Sequence, residues 1–99
     1  MSHYVDLQFE IRKEALDRAN DVIRETLKAT RAFEGNLSAT VLRSTEDNKV
    51  VNILTVWEQA SDHAAYLDFR SSKEGTPVEL FALFAEDPIS RHWDVQTGV

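Results

Sequence analysis

Residues 49–58 read KVVNILTVWE, and their spacing decides the fold. One alternation holds Val51, Ile53 and Trp57, the other Val50, Leu54 and Val56. Successive side chains of a strand point to opposite faces, so this strand is apolar on both. Such a strand belongs in the middle of a sheet with a layer against each face. Each of these side chains is worth about 1.5–3 kcal/mol when fully buried, so an uncovered second face is a real loss. The polar run STEDNK at 44–49 precedes it, as a hairpin loop would.

Working outward, Val5, Leu7, Phe9 and Ile11 alternate with Asp6, Gln8 and Glu10, which predicts a first strand with one buried face. Residues 13–30, KEALDRANDVIRETLKAT, place Leu16, Ala19, Val22, Ile23 and Leu27 at helical spacings along one side. Gly35 marks a turn, and Leu37 to Ser44 alternate as a second strand. Past the opening strand, Ser61 is placed to cap a helix running from Asp62 to about Ser71. Thr76, Pro77 and Glu79 suit the cap, first and third positions of a short helix through Phe81 and Phe84. Pro88 ends it, and Ile89 to Thr97 alternate as a last strand.

The order is βαββααβ. With helices crossing between strands, this predicts an α+β ferredoxin-like sandwich, a four-stranded antiparallel sheet with strands one and three central and helices on one face. The other face of the doubly apolar strand then needs a cover. A second copy of the chain, sheet against sheet about a two-fold axis, supplies one, so the expectation is a homodimer.

The 99 residues suit a single domain, 1–99, and 42% hydrophobic with 28% charged residues is an ordinary globular balance. A net charge of -6 with scattered Lys and Arg argues against nucleic acid and anionic membranes as partners. The absence of cysteine excludes thiolate nucleophiles, iron–sulfur clusters and thiolate zinc sites. The start, MSHYVDLQFE, lacks the apolar run of a secretion signal, and no segment approaches a membrane span, so a cytoplasmic location is expected. The histidines at 3, 63 and 92 lie on different elements without ligand spacing, and Gly35, Gly75 and Gly98 make no phosphate loop. Neither a metal nor a nucleotide is implied.

FEGNL at 33–37, ILTVWEQASDHAAYLDFR at 53–70 and the strand order together resemble the antibiotic biosynthesis monooxygenase family of dimeric α+β barrels. The resemblance implies a ligand between sheet and helices, touched by Trp57 at the strand end and Tyr66 on the following helix. It also implies a range of chemistries: cofactor-free oxygenation of polycyclic phenols or quinols, haem degradation, and isomerisation or decarboxylation. Haem-degrading members place a His ligand where Thr76 stands, and their first-strand Asn has no counterpart here. Other relatives carry a His where Tyr66 stands.

On the helix after Asp62, His63, Tyr66, Leu67 and Arg70 share one stripe. Cofactor-free oxygenation needs a proton acceptor, an electrostatic stabiliser and an apolar wall. His63 is the candidate base, Arg70 the candidate stabiliser, and Trp57 and Tyr66 the candidate substrate-binding pair. Each has a plainer reading: Trp57 as a core anchor, Tyr66 as a buried ring, His63 as a solvated first-turn residue, Arg70 as partner of Asp62, Asp68 or Glu74. His92 is opposite in parity to Trp93 and is assigned, with Asp6, Gln8, Asn52 and Asp94, to the second sheet face. The leading reading is a cofactor-free monooxygenase of a small aromatic phenol or quinol. Its rivals are a noncatalytic, stress-associated or small-molecule-binding dimer and an isomerase or decarboxylase on the same scaffold.

Overall fold

The doubly apolar strand takes a central place in the computed structural model, which describes residues 2–99. The elements are β1 (His3–Glu10), α1 (Leu16–Ala32), β2 (Asn36–Arg43), β3 (Val50–Trp57), α2 (Ala60–Ser71), α3 (Val78–Phe81) and β4 (Ile89–Asp94). A 3-10 turn at Lys13–Ala15 leads into α1. All neighbouring strands pair antiparallel in the order β2-β3-β1-β4. This is the α+β ferredoxin-like arrangement, with β1 and β3 inside.

Register assigns the two faces. Val5 pairs with Thr55, Leu7 with Ile53 and Phe9 with Val51, and this row lies under the helices. Helix α1 buries Ala19, Ile23, Leu27 and Thr30, one stripe at three- and four-residue steps, against it. Phe9, Ile11, Val51, Ile53, Ile23, Leu27, Leu80 and Leu83 belong to the resulting core. On the far face Asp6 pairs with Leu54, and Tyr4 with Val56 and Trp93. That face carries Leu42, Ile89 and Trp93 at 49%, 55% and 52% exposure, so no element among the described residues covers these side chains.

Gly35 fixes how β3 delivers the chain to α2. Its φ is +87°, and a Cβ there would run into the Asp62 side chain. Glu58 N–H donates to Gly35 O at 2.8 Å, while Gln59 N–H donates to Asp62 Oδ2 at 3.1 Å. Helix α2 therefore starts at Ala60 with Gln59 as its cap, and Ser61, the expected cap, lies inside the first turn.

Three further boundaries differ from the sequence pattern. Thr76 does not cap the next helix, because its hydroxyl folds back to Ser72 O at 2.6 Å. Helix α3 is a single turn ending at Phe81, and β4 stops at Asp94 instead of Thr97. His92 and Asp94 pair with Val5 and His3, which places them on the helix side and not with Asp6 and Gln8. Polarity could not separate these faces, because every residue of β4 is exposed.

Candidate functional site

Where α2 crosses the β3 end of the sheet, aromatic side chains gather. Trp57 is fully buried, and its Nε1–H donates to Thr55 Oγ1 at 2.8 Å, whose own hydroxyl donates to Val5 O at 3.2 Å. The Trp57 ring packs 4.9 Å from Tyr66 and 5.5 Å from His63, with Phe33 5.4 Å from Tyr66 on the far side. Helical spacing alone brings His63 and Tyr66 to this wall.

A cavity of about 100 Å³ lies between α1, α2 and the sheet. Val5, Leu7, Leu27, Ile53, Leu67 and Leu80 make it mostly apolar, and Thr26, Thr30, Thr55, Ser90, His63 and Tyr66 contribute its polar rim. An apolar cavity of about 150 Å³ accommodates benzene, so this smaller space takes a single ring only when its mouth opens. Leu67 lines the cavity yet is 48% exposed, so it stands at that mouth. Of the four residues singled out from the sequence, His63 and Tyr66 line the cavity, whereas Trp57 backs their rings and Arg70 braces Tyr66 from behind.

Arg70 is bound on every side by neutral acceptors. Its Nε donates to Tyr66 Oη at 2.7 Å, Nη1 to Gly75 O at 3.1 Å, and Nη2 to Thr26 O at 2.9 Å and Thr30 Oγ1 at 3.1 Å. These partners replace the carboxylates Asp62, Asp68 and Glu74 that sequence proximity suggested. The guanidinium also stacks on Tyr66 and Phe69, with its carbon 5.1 and 5.3 Å from their ring centres. Thr30 Oγ1 and Tyr66 Oη are 2.6 Å apart. Because a guanidinium only donates, the Tyr66 oxygen accepts from Arg70 and keeps its own proton for Thr30 or for a ligand.

His63 is different in kind. The residue is only 6% exposed, and its ring nitrogens, which make no hydrogen bond among the described residues, are not fully sealed from solvent or cavity. Burial, and secondarily the nearby His92 and His3, pull its pKa from 6.5 down to about 4. At neutral pH it is an uncharged imidazole with acceptor capacity to spare, facing an apolar cavity. The other two histidines are its neighbours, although their spacing in the chain gave no sign of it. His3 shares the parity of Val5 and Leu7, a signal that was available; His92 is brought in only by the β1–β4 register. No group of three histidines or carboxylates among the described residues is placed to hold a metal ion.

The antibiotic biosynthesis monooxygenase family model matches residues 2–75. The chain belongs to that family. Antibiotic biosynthesis monooxygenase folds recur among solved structures of low sequence identity. A conserved protein from Methanosarcina mazei Go1 superposes with a TM-score of 0.83 at 14% identity, covering 97% of this chain and 94% of its own. A variant of SnoaB, a cofactor-independent oxygenase from Streptomyces nogalater, gives 0.82 at 15%, covering 99% and 96%. Rv0793 from Mycobacterium tuberculosis gives 0.76 at 15%, covering 97% and 96%. At these identities the likeness is one of fold. None of the curated proteins compared matches the chain. As an antibiotic biosynthesis monooxygenase family member it has a monooxygenase-like scaffold, and no helix among the described residues is long and apolar enough to cross a membrane.

Proposed function

We propose that this protein is a cofactor-free monooxygenase of a small, single-ring phenol or quinol, bound in the cavity between α2 and the sheet. The observation that carries the reading is His63, a buried imidazole without a protein partner on the wall of an apolar cavity, three residues from a phenol that keeps a proton to give. Family membership supports it, and so does the name of SnoaB as a cofactor-independent oxygenase.

The substrate supplies the electrons. His63 accepts the proton of a ring hydroxyl, which makes the ring a better donor to O2. One oxygen atom enters the ring, the other leaves as water, and the quinol gives up two further hydrogens to become a hydroxyquinone, so atoms and electrons balance without a bound cofactor. Tyr66 holds the developing negative charge through its O–H. Arg70, whose positive charge has only neutral partners, polarises that phenol from behind. Trp57 keeps the rings of His63 and Tyr66 in place. Excluding water strengthens each interaction.

The exposed Leu42, Ile89 and Trp93 favour a homodimer through the open sheet face, and the lack of a spanning helix is consistent with the cytoplasmic location expected. The test is oxygen uptake by purified, metal-free protein across a panel of substituted quinols. The expected result is turnover that Tyr66→Phe lowers by on the order of a hundredfold, as removal of one oxyanion donor does. Conversion of the panel without O2 would assign an isomerase or decarboxylase. Ligands that raise the melting temperature without being consumed would assign a binding module.

A further inference from the structure

All three histidines of the chain meet at one end of the sheet, and the proposed reaction uses one of them. His3 from β1, His92 from β4 and His63 from α2 form a triangle with ring centres 5.2, 5.3 and 6.3 Å apart. His3 Nε2 and His92 Nδ1 are 3.0 Å apart, a hydrogen bond that exists only while one of the two nitrogens holds a proton. The other nitrogen of His3 lies 3.7 Å from Asp94 Oδ1. Exposure divides the set: His63 is 6% exposed and the His3 side chain 16%, whereas His92 and Asp94 on β4 are exposed.

The groups around the cluster are few. From α2 come Tyr66 and Asp62, the latter held by Gln59 N–H; from β4 comes Asp94; β3 offers only the uncharged Thr55 and Trp57. Asp6 and Tyr4 of β1 lie on the opposite face. Three imidazoles this close are not all charged at once. A charge on either outer imidazole opposes a proton on His63.

We propose that His3 and His92 act as a shared-proton pair that sets the charge of His63 and carries to solvent the proton His63 takes from substrate. The second role rests on the reading of His63 as the proton acceptor. His63, charged by one ring-hydroxyl proton, passes it towards His92, whose ring centre lies 5.3 Å away. His92, which is exposed, releases a proton to water, and its Nδ1 shares the charge with His3 Nε2 across the 3.0 Å contact. No electron moves along this path, and because hydroxyquinone and water together keep every hydrogen of the quinol, one proton returns from solvent as the second oxygen leaves as water, with His63 neutral for the next turnover. His92 and His3 are positioning residues in this scheme, since neither is among the residues lining the cavity.

Imidazole resonances followed by NMR through a pH titration test the first role, in wild type, His3→Gln, His92→Gln and the double variant, each checked for folding by its thermal transition. The His63 midpoint is expected to rise from about 4 in each single variant and further in the double one. An unchanged midpoint in folded variants overturns the coupling. The second role is read from quinol turnover at low buffer concentration. His92→Gln should lose on the order of tenfold in kcat with KM unmoved, and added imidazole should restore it. A loss that imidazole does not restore, or no loss, overturns the proton path. Absence of any turnover in the wild type overturns the oxygenase reading, and the path with it, while the NMR result still decides the coupling.

Discussion

Arg70→Lys keeps the charge at the centre of the site and removes its geometry, and the structure says how much that should matter. The guanidinium makes four hydrogen bonds, to Tyr66 Oη, Gly75 O, Thr26 O and Thr30 Oγ1, at 2.7–3.1 Å. They tie α2 to α1 and to the turn after α2. An ammonium is a compact point of charge and cannot fork to partners on several elements, so at least two of the four are lost. Charge-assisted bonds are worth about 1.5–3 kcal/mol each, and their losses are not additive in a shared network. For this half-buried group Arg70→Lys should cost about 2–3 kcal/mol, and Arg70→Met about 3–5 kcal/mol, since Met also leaves two backbone carbonyls unpaired. Urea unfolding at pH 7 measures both. Combined with Tyr66→Phe in a double-mutant cycle, Arg70→Met should show a coupling of about 1–2 kcal/mol, reflecting the 2.7 Å contact. Ligand affinity should fall together with stability, because the phenol loses the donor that fixes it. If both Arg70 variants unfold within about 0.5 kcal/mol of wild type, Arg70 is an ordinary surface cation and the brace behind Tyr66 has no energetic content.

The remaining expectations concern His63 and the open face. The folded pKa of His63, about 4, lies below its ordinary 6.5, so the unfolded chain binds the extra proton between those values. Stability is therefore fully present above pH 6.5 and falls as pH drops towards 4, by about 3 kcal/mol at the lower end at about 1.4 kcal/mol per pH unit. Urea midpoints from pH 7 to 4 should fall more steeply for wild type than for His63→Gln, and parallel curves would contradict the buried neutral imidazole. On the open sheet face, Leu42→Asp with Trp93→Asp should turn a dimer into a monomer in sedimentation velocity while the far-UV spectrum is kept. A wild type that sediments as a monomer would remove the sheet-to-sheet dimer.

What could be read from the sequence was whatever a single element determines. The two-residue alternation of β1 and β3 and the α1 stripe follow from backbone geometry, so the α+β order and the central strands came directly from them. The α2 stripe likewise grouped His63, Tyr66 and Leu67 at the cavity. Features that need two elements were not legible. His92 joined the wrong face because its alternation in β4, Ser90, His92 and Asp94, is wholly polar and so reads as the face away from the core, and only its pairing with Val5 decides. Ser61 is a better cap than Gln59 by residue preference, yet the bare backbone of Gly35 lets the Asp62 carboxylate sit over it and close the turn at Gln59 N–H. Arg70 had three carboxylates within reach along the chain, but its partners come mostly from α1 and the Gly75 turn.

The α2 stripe divides its work by depth. His63 and Tyr66 are three residues apart, about 4.5 Å along the helix axis, and both present a polar atom to the same cavity. His63 offers an acceptor, and Tyr66 offers a hydroxyl that it shares with Thr30 2.6 Å away. A ligand with a single hydroxyl satisfies one and leaves the other facing an apolar space, which costs about 1–3 kcal/mol for a buried unpaired group. A single ring carrying two oxygens satisfies both at once. On the proposed reading, the pair favours a quinol over a monophenol by the polar group that the monophenol would strand. Arg70, four residues further on, contributes its charge through Tyr66 without occupying ligand space. Under that reading, a donor at one end, a neutral acceptor at the other and apolar walls between them suit the single negative charge that develops when a neutral quinol gives up one proton.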